Sequence, residues 1–217
     1  MLWPYRRAVH LPAPWLSQWP FERVIGPLIL TRLPVLHYFG GAKFTLKGAN
    51  GFVGVTLDLG QGATFDFWSA HLKSEPYGPD VVSKGMSSEE VCWASRERVR
   101  HANSVITAAE ISRSPLKIIA GDFNSMSHLD STDYKWPTSR LMQIRGFVDT
   151  FRYLHESSSS DPGLTYPVGA VAERLDYIYV KHTAHTVEIL SSKVDSISTN
   201  YTSDHLSVTT VLAVAVT

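Results

Sequence analysis

Residues 52–72 read FVGVTLDLGQGATFDFWSAHL, two alternating apolar and polar runs joined by Gly60-Gln61-Gly62. Val53, Val55, Leu57 and Leu59 share one face, and Gly54, Thr56 and Asp58 take the other, which is the period-two pattern of a half-buried strand. The pair therefore reads as an antiparallel hairpin with His71 at its far end.

The remaining segments fit around that hairpin. GPLILTRLPV (26–35) reads as a short buried strand closed by Pro34, and KSEPYGPD opens a loop that continues to about residue 87. Ser87 followed three residues later by Glu90 is a capping box. Val99, Ala102, Ile106 and Ala109 follow it at helical spacing, predicting a helix of about five or six turns that ends before Pro115. LKIIAGDF is a strand. Residues 138–146 form a helix capped by Thr138 and stopped by Gly146, RLDYIYV (174–180) is a strand, and LSVTTVLAVAV (206–216) is the last one. HESSSSDPG (155–163) is an exposed loop. Hairpins with helices between some of them predict one α/β domain over residues 1–217, built on mixed sheets rather than a parallel βαβ array.

Bulk properties exclude several classes. Twenty basic and twenty acidic residues cancel, so no global positive field gathers a polyanion. The basic stretch SRERVRH (95–101) reads as a solvated helix face. Cys92 is the sole cysteine and can form neither an intrachain disulfide nor a thiolate cluster. His10, Pro12 and Pro14 break the N-terminal apolar stretch, so it is no signal peptide, and the run 206–216 is too short to cross a membrane. The compartment stays open, because NYT (200–202) is a glycosylation sequon only in a secreted chain.

Against this background the polar residues at strand edges stand out: His71 after FDFWSA, Asp122 and Asn124 after KIIAG, Asp176 in RLDYIYV, and Asp204-His205 before LSVTTV. Singly, each is an ordinary turn residue. Together they are a complete set for hydrolysing a phosphate ester. Carboxylates and an amide oxygen suit Mg2+ or Mn2+, and a His paired with an Asp can hold or shed a proton. Zinc is disfavoured, because no histidine pair has the close spacing of HExxH.

GDFNS (121–125), RLDYIYV (174–180) and TSDHLSV (202–208), preceded by SAHL and LILTRLPV, resemble in order and spacing the motifs of the endonuclease/exonuclease/phosphatase superfamily. The Pro-Tyr-Gly-Pro loop at 76–79 is similar to that of microbial, often secreted members. The resemblance implies a four-layer sandwich of two packed mixed β-sheets flanked by helices. It implies that Asp122 and Asn124 orient the attacking water and contact phosphate or metal, with Asp204 near the metal. It makes His205, held by Asp176, a base or electrostatic clamp, and His71 a second phosphate-binding histidine. His128 and Asp130 are expected to be supporting structure, and Tyr77 either lines the site or, as the favoured reading, is a packing residue.

The implied substrate is a phosphate ester, whether nucleic acid, phospholipid head group or small phosphodiester, and no protein partner is implied. The family's first two strands, one carrying an Asn and the other a metal-binding Glu, have no counterpart in residues 1–25. The expectation is an N-terminally truncated chain, weakly active or inactive alone. Its rival role is a binding or scaffold domain without catalysis. A serine hydrolase is disfavoured, since neither Ser125 nor Ser203 lies in a G-x-S-x-G elbow.

Overall fold

The computed structural model describes residues 27–43, 51–130, 133–156, 160–169, 172–183, 187–195 and 203–215. Residues 1–26 lie outside that set, and so does the expectation about the missing strands. The sequon at 200–202 and part of the serine-rich loop also fall outside it.

The expected hairpin forms as β2 (Gly51–Gly60) and β3 (Ala63–His71). It sits inside a mixed six-stranded sheet with β1 (Val35–Lys43) on one side. On the other side lie β4 (Leu116–Asp122), then β6 (Asp176–His182), then the two-residue β5 (Val148–Asp149). β3 and β4 are parallel, and the other pairs are antiparallel. The crossover between β3 and β4 contains α1 (Gly78–Ser83) and α2 (Ser88–Ile111). α3 (Pro137–Ile144) and α4 (Thr150–Leu154) follow β4, and β7 (Val187–Val194) pairs with β8 (Val208–Val214) in a separate two-stranded sheet.

The two faces of the large sheet bury different clusters. Trp68, Ala70, Ile119, Tyr177 and Tyr179 pack with Ala102, Val105, Ile106 and Ala109 of α2 and with Met142 of α3. On the opposite face Val55, Leu57, Phe65, Leu116, Ile118 and Val180 meet Val187 of β7 and Leu212 and Val214 of β8. The alternation in FVGVTLDL thus points Val55 and Leu57 between the sheets. Each fully buried side chain of this kind stabilises the fold by about 1.5–3 kcal/mol. This is the expected mixed α/β fold with two packed sheets and outer helices; among the described residues the layers are helices, the large sheet and the small sheet.

The Ser87 capping box is present in both directions, with the Glu90 N–H donating to Ser87 Oγ (3.3 Å) and the Ser87 N–H donating to Glu90 Oε2 (2.8 Å). Four local expectations differ from the structure. GPLILTRL is not a buried strand: the chain becomes extended only at Val35, and Leu30, Val35 and Leu36 face solvent, because β1 is the edge of the sheet. The loop after His71 contains α1, which begins at Gly78-Pro79, where a proline's missing N–H is harmless. Thr138 is a buried interior residue of α3, and the N-cap is Trp136 in a left-handed conformation (φ 36°). SRERVRH is not wholly solvated, since Ser95, Arg98 and His101 turn inward.

Two buried arginines tie loops to this frame. Arg98 reaches out from α2 and donates to the carbonyls of Lys73 (3.2 Å), Ser74 (2.6 Å) and Pro76 (2.6 Å), pinning the segment that follows His71. Arg174 is clamped by Asp130 (2.9 Å) and Asp149 (2.8 Å), immediately before β6 begins. Asp130 also accepts from Arg152 Nε (2.6 Å), so it is an internal anchor, as the sequence reading expected. His128 is held by Ser139 and Gln143.

Candidate active site

Strand register assembles the site. In-register partners across β3, β4 and β6 place Phe67, Ile118 and Val180 in one row, then Ser69, Ala120 and Ile178, then His71, Asp122 and Asp176. Of the first two rows, Phe67, Ile118, Val180 and Ile178 belong to the apolar cluster between the sheets. The third follows two residues on, so its side chains emerge on the same face. A hydrophobic seam therefore ends in an imidazole flanked by carboxylates.

Gly121 is what lets the row close. Its φ is 141°, and a Cβ there would lie 1.9 Å from the Ala70 carbonyl oxygen. No other residue type permits β4 to run that close to β3 just before Asp122. Past the strand Asn124 adopts φ 47°, a left-handed conformation that asparagine tolerates. Its N–H donates to Asp122 Oδ1 (2.7 Å), and its Nδ2 donates to Asp122 Oδ2 (3.1 Å) and to the Leu72 carbonyl (2.9 Å). Asn124 therefore fixes the orientation of the Asp122 carboxylate.

His205 enters from the loop before β8. Its Nδ1 lies 2.7 Å from Asp176 Oδ2, and that hydrogen bond, outweighing the opposing effect of burial, raises its pKa above the usual imidazole value. His71 Nε2 lies 3.4 Å from Asp122 Oδ2; burial, with the charge of His205, lowers its pKa. Asp122 is pushed up to about 7, first by burial and then by the charge of Asp176. The two imidazoles are thus set apart, one favoured charged and the other neutral.

Asp122, Asp176 and His205 offer ligand atoms within 4.8 Å of one another. The chemistry fits a divalent cation: two carboxylates converge, burial disfavours the charge of Asp122, and hard oxygen donors suit Mg2+ or Mn2+. Asp204 lines the same cavity from an exposed position, and its charge is felt by Asp122 and His205. His71, Asp122, Asn124, Asp176, Asp204 and His205 all border this one cavity of about 870 Å³.

Apart from Tyr77, named as a residue that could line the site, the sequence reading did not find the rest of its wall. A turn whose described residues are 165–169 and 172–173 is closed by a bridge between Tyr166 and Glu173. It is tied to the His205 loop by Val168 N–H to the Asp204 carbonyl (2.9 Å) and Leu206 N–H to the Thr165 carbonyl (2.8 Å). Tyr166 packs its ring 4.6 Å from that of His205. The buried Thr165 Oγ1 accepts from the Leu175 N–H (3.1 Å), just before Asp176. Across the cavity Tyr77 Oη donates to the Glu173 carboxylate, whose pKa is raised by burial. Tyr77 is therefore part of the cavity wall rather than a packing residue alone. Turn chemistry at Pro167 and Gly169 was visible in the sequence, but it carries no sign of proximity to His205.

A helix-backed mixed sheet packed on a second sheet, with His and Asp side chains gathered at the strand ends, is the architecture of a phosphoesterase-type fold. The chain belongs to the endonuclease/exonuclease/phosphatase family, whose sequence model matches residues 7–205. An uncharacterized protein of Caenorhabditis elegans is 28% identical over 206 residues, covering 76% of this chain and 65% of its own length. The chain thus spans less than two thirds of that relative. An endonuclease/exonuclease/phosphatase family protein from Bacteroides thetaiotaomicron superposes with a TM-score of 0.55 at 14% identity, over 85% of this chain and 67% of its own. A mannosyl-6-phosphatase of the same organism gives 0.52 at 16% identity, over 83% and 67%. These likenesses show the fold.

Proposed function

We propose that this chain is a metal-dependent phosphoesterase in which water attacks phosphorus in line with the departing alcohol. The observation that carries the reading is the in-register row of His71, Asp122 and Asp176 facing the Asp176-held His205. A Mg2+ or Mn2+ ion held by Asp122 and Asp176, with Asp204 and the Asn124 amide oxygen near it, would offset phosphate charge and acidify water.

The protein's own groups supply the remainder. His205, kept charged by Asp176, donates a hydrogen bond to a non-bridging phosphate oxygen and stabilises charge that grows in the transition state. His71, favoured neutral, contacts a second phosphate oxygen through its ring N–H. Asn124 holds the Asp122 carboxylate at the position where it can accept the proton of the attacking water. The bond formed is water oxygen to phosphorus, and the bond broken joins phosphorus to the leaving oxygen, which takes a proton from solvent water and departs as the alcohol, while Asp122 returns its proton to solvent.

Hydrolysis of bis(4-nitrophenyl) phosphate and 4-nitrophenyl phosphate in Mg2+ or Mn2+, with a chelator control, tests the proposal. His205→Ala should lower turnover by about a thousandfold with the fold retained. Full turnover by that variant, or turnover indifferent to the chelator, would refute it. The mannosyl-6-phosphatase among the structural neighbours is in keeping with a phosphate ester of this kind, without fixing the alcohol.

A further inference from the structure

The cavity around the His71–Asp122–Asp176 row is also lined by Glu75, Asp80, Glu173 and Asp204, of which Glu75, Asp80 and Asp204 are exposed. Among the described residues, no lysine or arginine lines it. The nearby cations are turned elsewhere. Arg98 is buried, spends its hydrogen bonds on carbonyl groups behind the loop and feels the charge of Glu75 from there, and the charge of Lys73 acts on Glu97 and His101 of α2.

The acidic wall is also held in place. Glu75 sits in the segment pinned by Arg98. Glu173 closes the turn at its bridge with Tyr166 and receives the Tyr77 hydroxyl from across the cavity. These carboxylates therefore stand where the part of a substrate beyond its reacting phosphate must lie.

We infer that this wall selects substrates by charge: the site takes a phosphate ester whose leaving group carries no further negative charge and rejects polyanionic chains such as nucleic acids. The inference rests on the phosphoesterase reading above and narrows it. A phosphate at the reacting position is met by His205 and His71, and by any cation held between Asp122 and Asp176. A second or third phosphate would lie against Glu75, Asp80 and Glu173, with no cationic side chain among the described lining residues to receive it. Glu75 and Asp80 are exposed, so their repulsion of further phosphates acts through solvent and is strongest at low salt.

The test compares binding of thymidine 5′-monophosphate with that of 5′-phosphorylated tetrathymidylate by calorimetry, in Mg2+ at low salt. These ligands share a terminal phosphate and differ in the charges that follow it. The tetramer should bind at least about tenfold more weakly, and the gap should shrink as salt is raised. Combining Glu75→Gln, Asp80→Asn and Glu173→Gln should reduce the gap by about tenfold.

A tetramer that binds the unaltered protein as tightly as the monomer, or a gap unmoved by the substitutions, would overturn charge selection while leaving the phosphoesterase reading intact. Absence of binding by the monophosphate would overturn the phosphate site itself, and this inference with it. Circular dichroism of the triple variant confirms that its fold is retained.

Discussion

His205 and Asp176 meet at 2.7 Å, joining the loop before β8 to the first residue of β6. The contact bridges the two sheets at the mouth of the hydrophobic seam, and it raises the His205 pKa. A histidine acting as an imidazolium loses its function as pH rises through that raised value. We expect kcat/KM to fall on the alkaline side, and Asp176→Asn to move the fall to lower pH while also lowering the plateau. Profiles from about pH 5 to about pH 9 would check this; a descending limb unmoved by Asp176→Asn would mean that another group titrates.

Burial and the charge of Asp176 push Asp122 up to about 7, so a cation bound there relieves a conflict already present in the fold. Mn2+ or Mg2+ at about 100 times Kd should stabilise the protein by about 2.7 kcal/mol, raising Tm by roughly 5–10 °C. Asp122→Asn should remove most of that rise. The readout is a thermal melt with and without chelator, and an equal shift in both proteins would place the cation elsewhere.

Gly121→Ala should be among the most damaging single-atom additions in the chain. The new Cβ would lie 1.9 Å from the Ala70 carbonyl, in a backbone conformation that L-residues rarely adopt. Because the obstacle is backbone, β3 and β4 must separate. A loss of about 3 kcal/mol or more is expected from urea unfolding, whereas Gly85→Ala, with nothing near its Cβ, should lose much less.

His101, buried on α2, has its pKa lowered to about 4, first by burial and then by the Arg100 charge. Its neutral form is favoured in the folded protein, so the unfolded chain binds the proton more readily. The sign follows: stability is lost as pH falls through the unfolded value near 6.5, and the loss levels off below about 4, reaching about 3 kcal/mol. His101→Gln keeps an acceptor for Arg100 and should flatten this component. Urea midpoints of both proteins between those pH values measure it, and parallel slopes would refute the assignment.

Legibility in the sequence followed the physics of each signal. The hairpin, the Ser87 capping box and the strand-end residues were readable because each depends on neighbours in the chain. Their gathering at one cavity was expected from the family resemblance, and the register supplies the means. β7 was not anticipated: its VEILSSKV breaks apolar alternation with Ser191, Ser192 and Lys193, and Leu190 is exposed. α1 was hidden by Pro79, which signals a loop and a helix start alike. Arg98 and Arg174 look like surface residues in any local window. Only the folded chain brings the carbonyls and carboxylates that they bind into range, and the same holds for Tyr77 and Glu173, which are 96 positions apart.

The shared row of His71, Asp122 and Asp176 ties chemistry to alignment. Were β4 to slide by one residue against its neighbours, every side chain of the strand would change faces: Asp122 would turn to the helix side, Lys117 would enter the apolar space between the sheets, and Gly121 would no longer lie against Ala70. Any other residue carried into that place would meet the Ala70 carbonyl. The glycine that makes room for the site therefore also guards its alignment, so that a chain able to pair its strands at all pairs them in the order that puts the imidazole between the carboxylates.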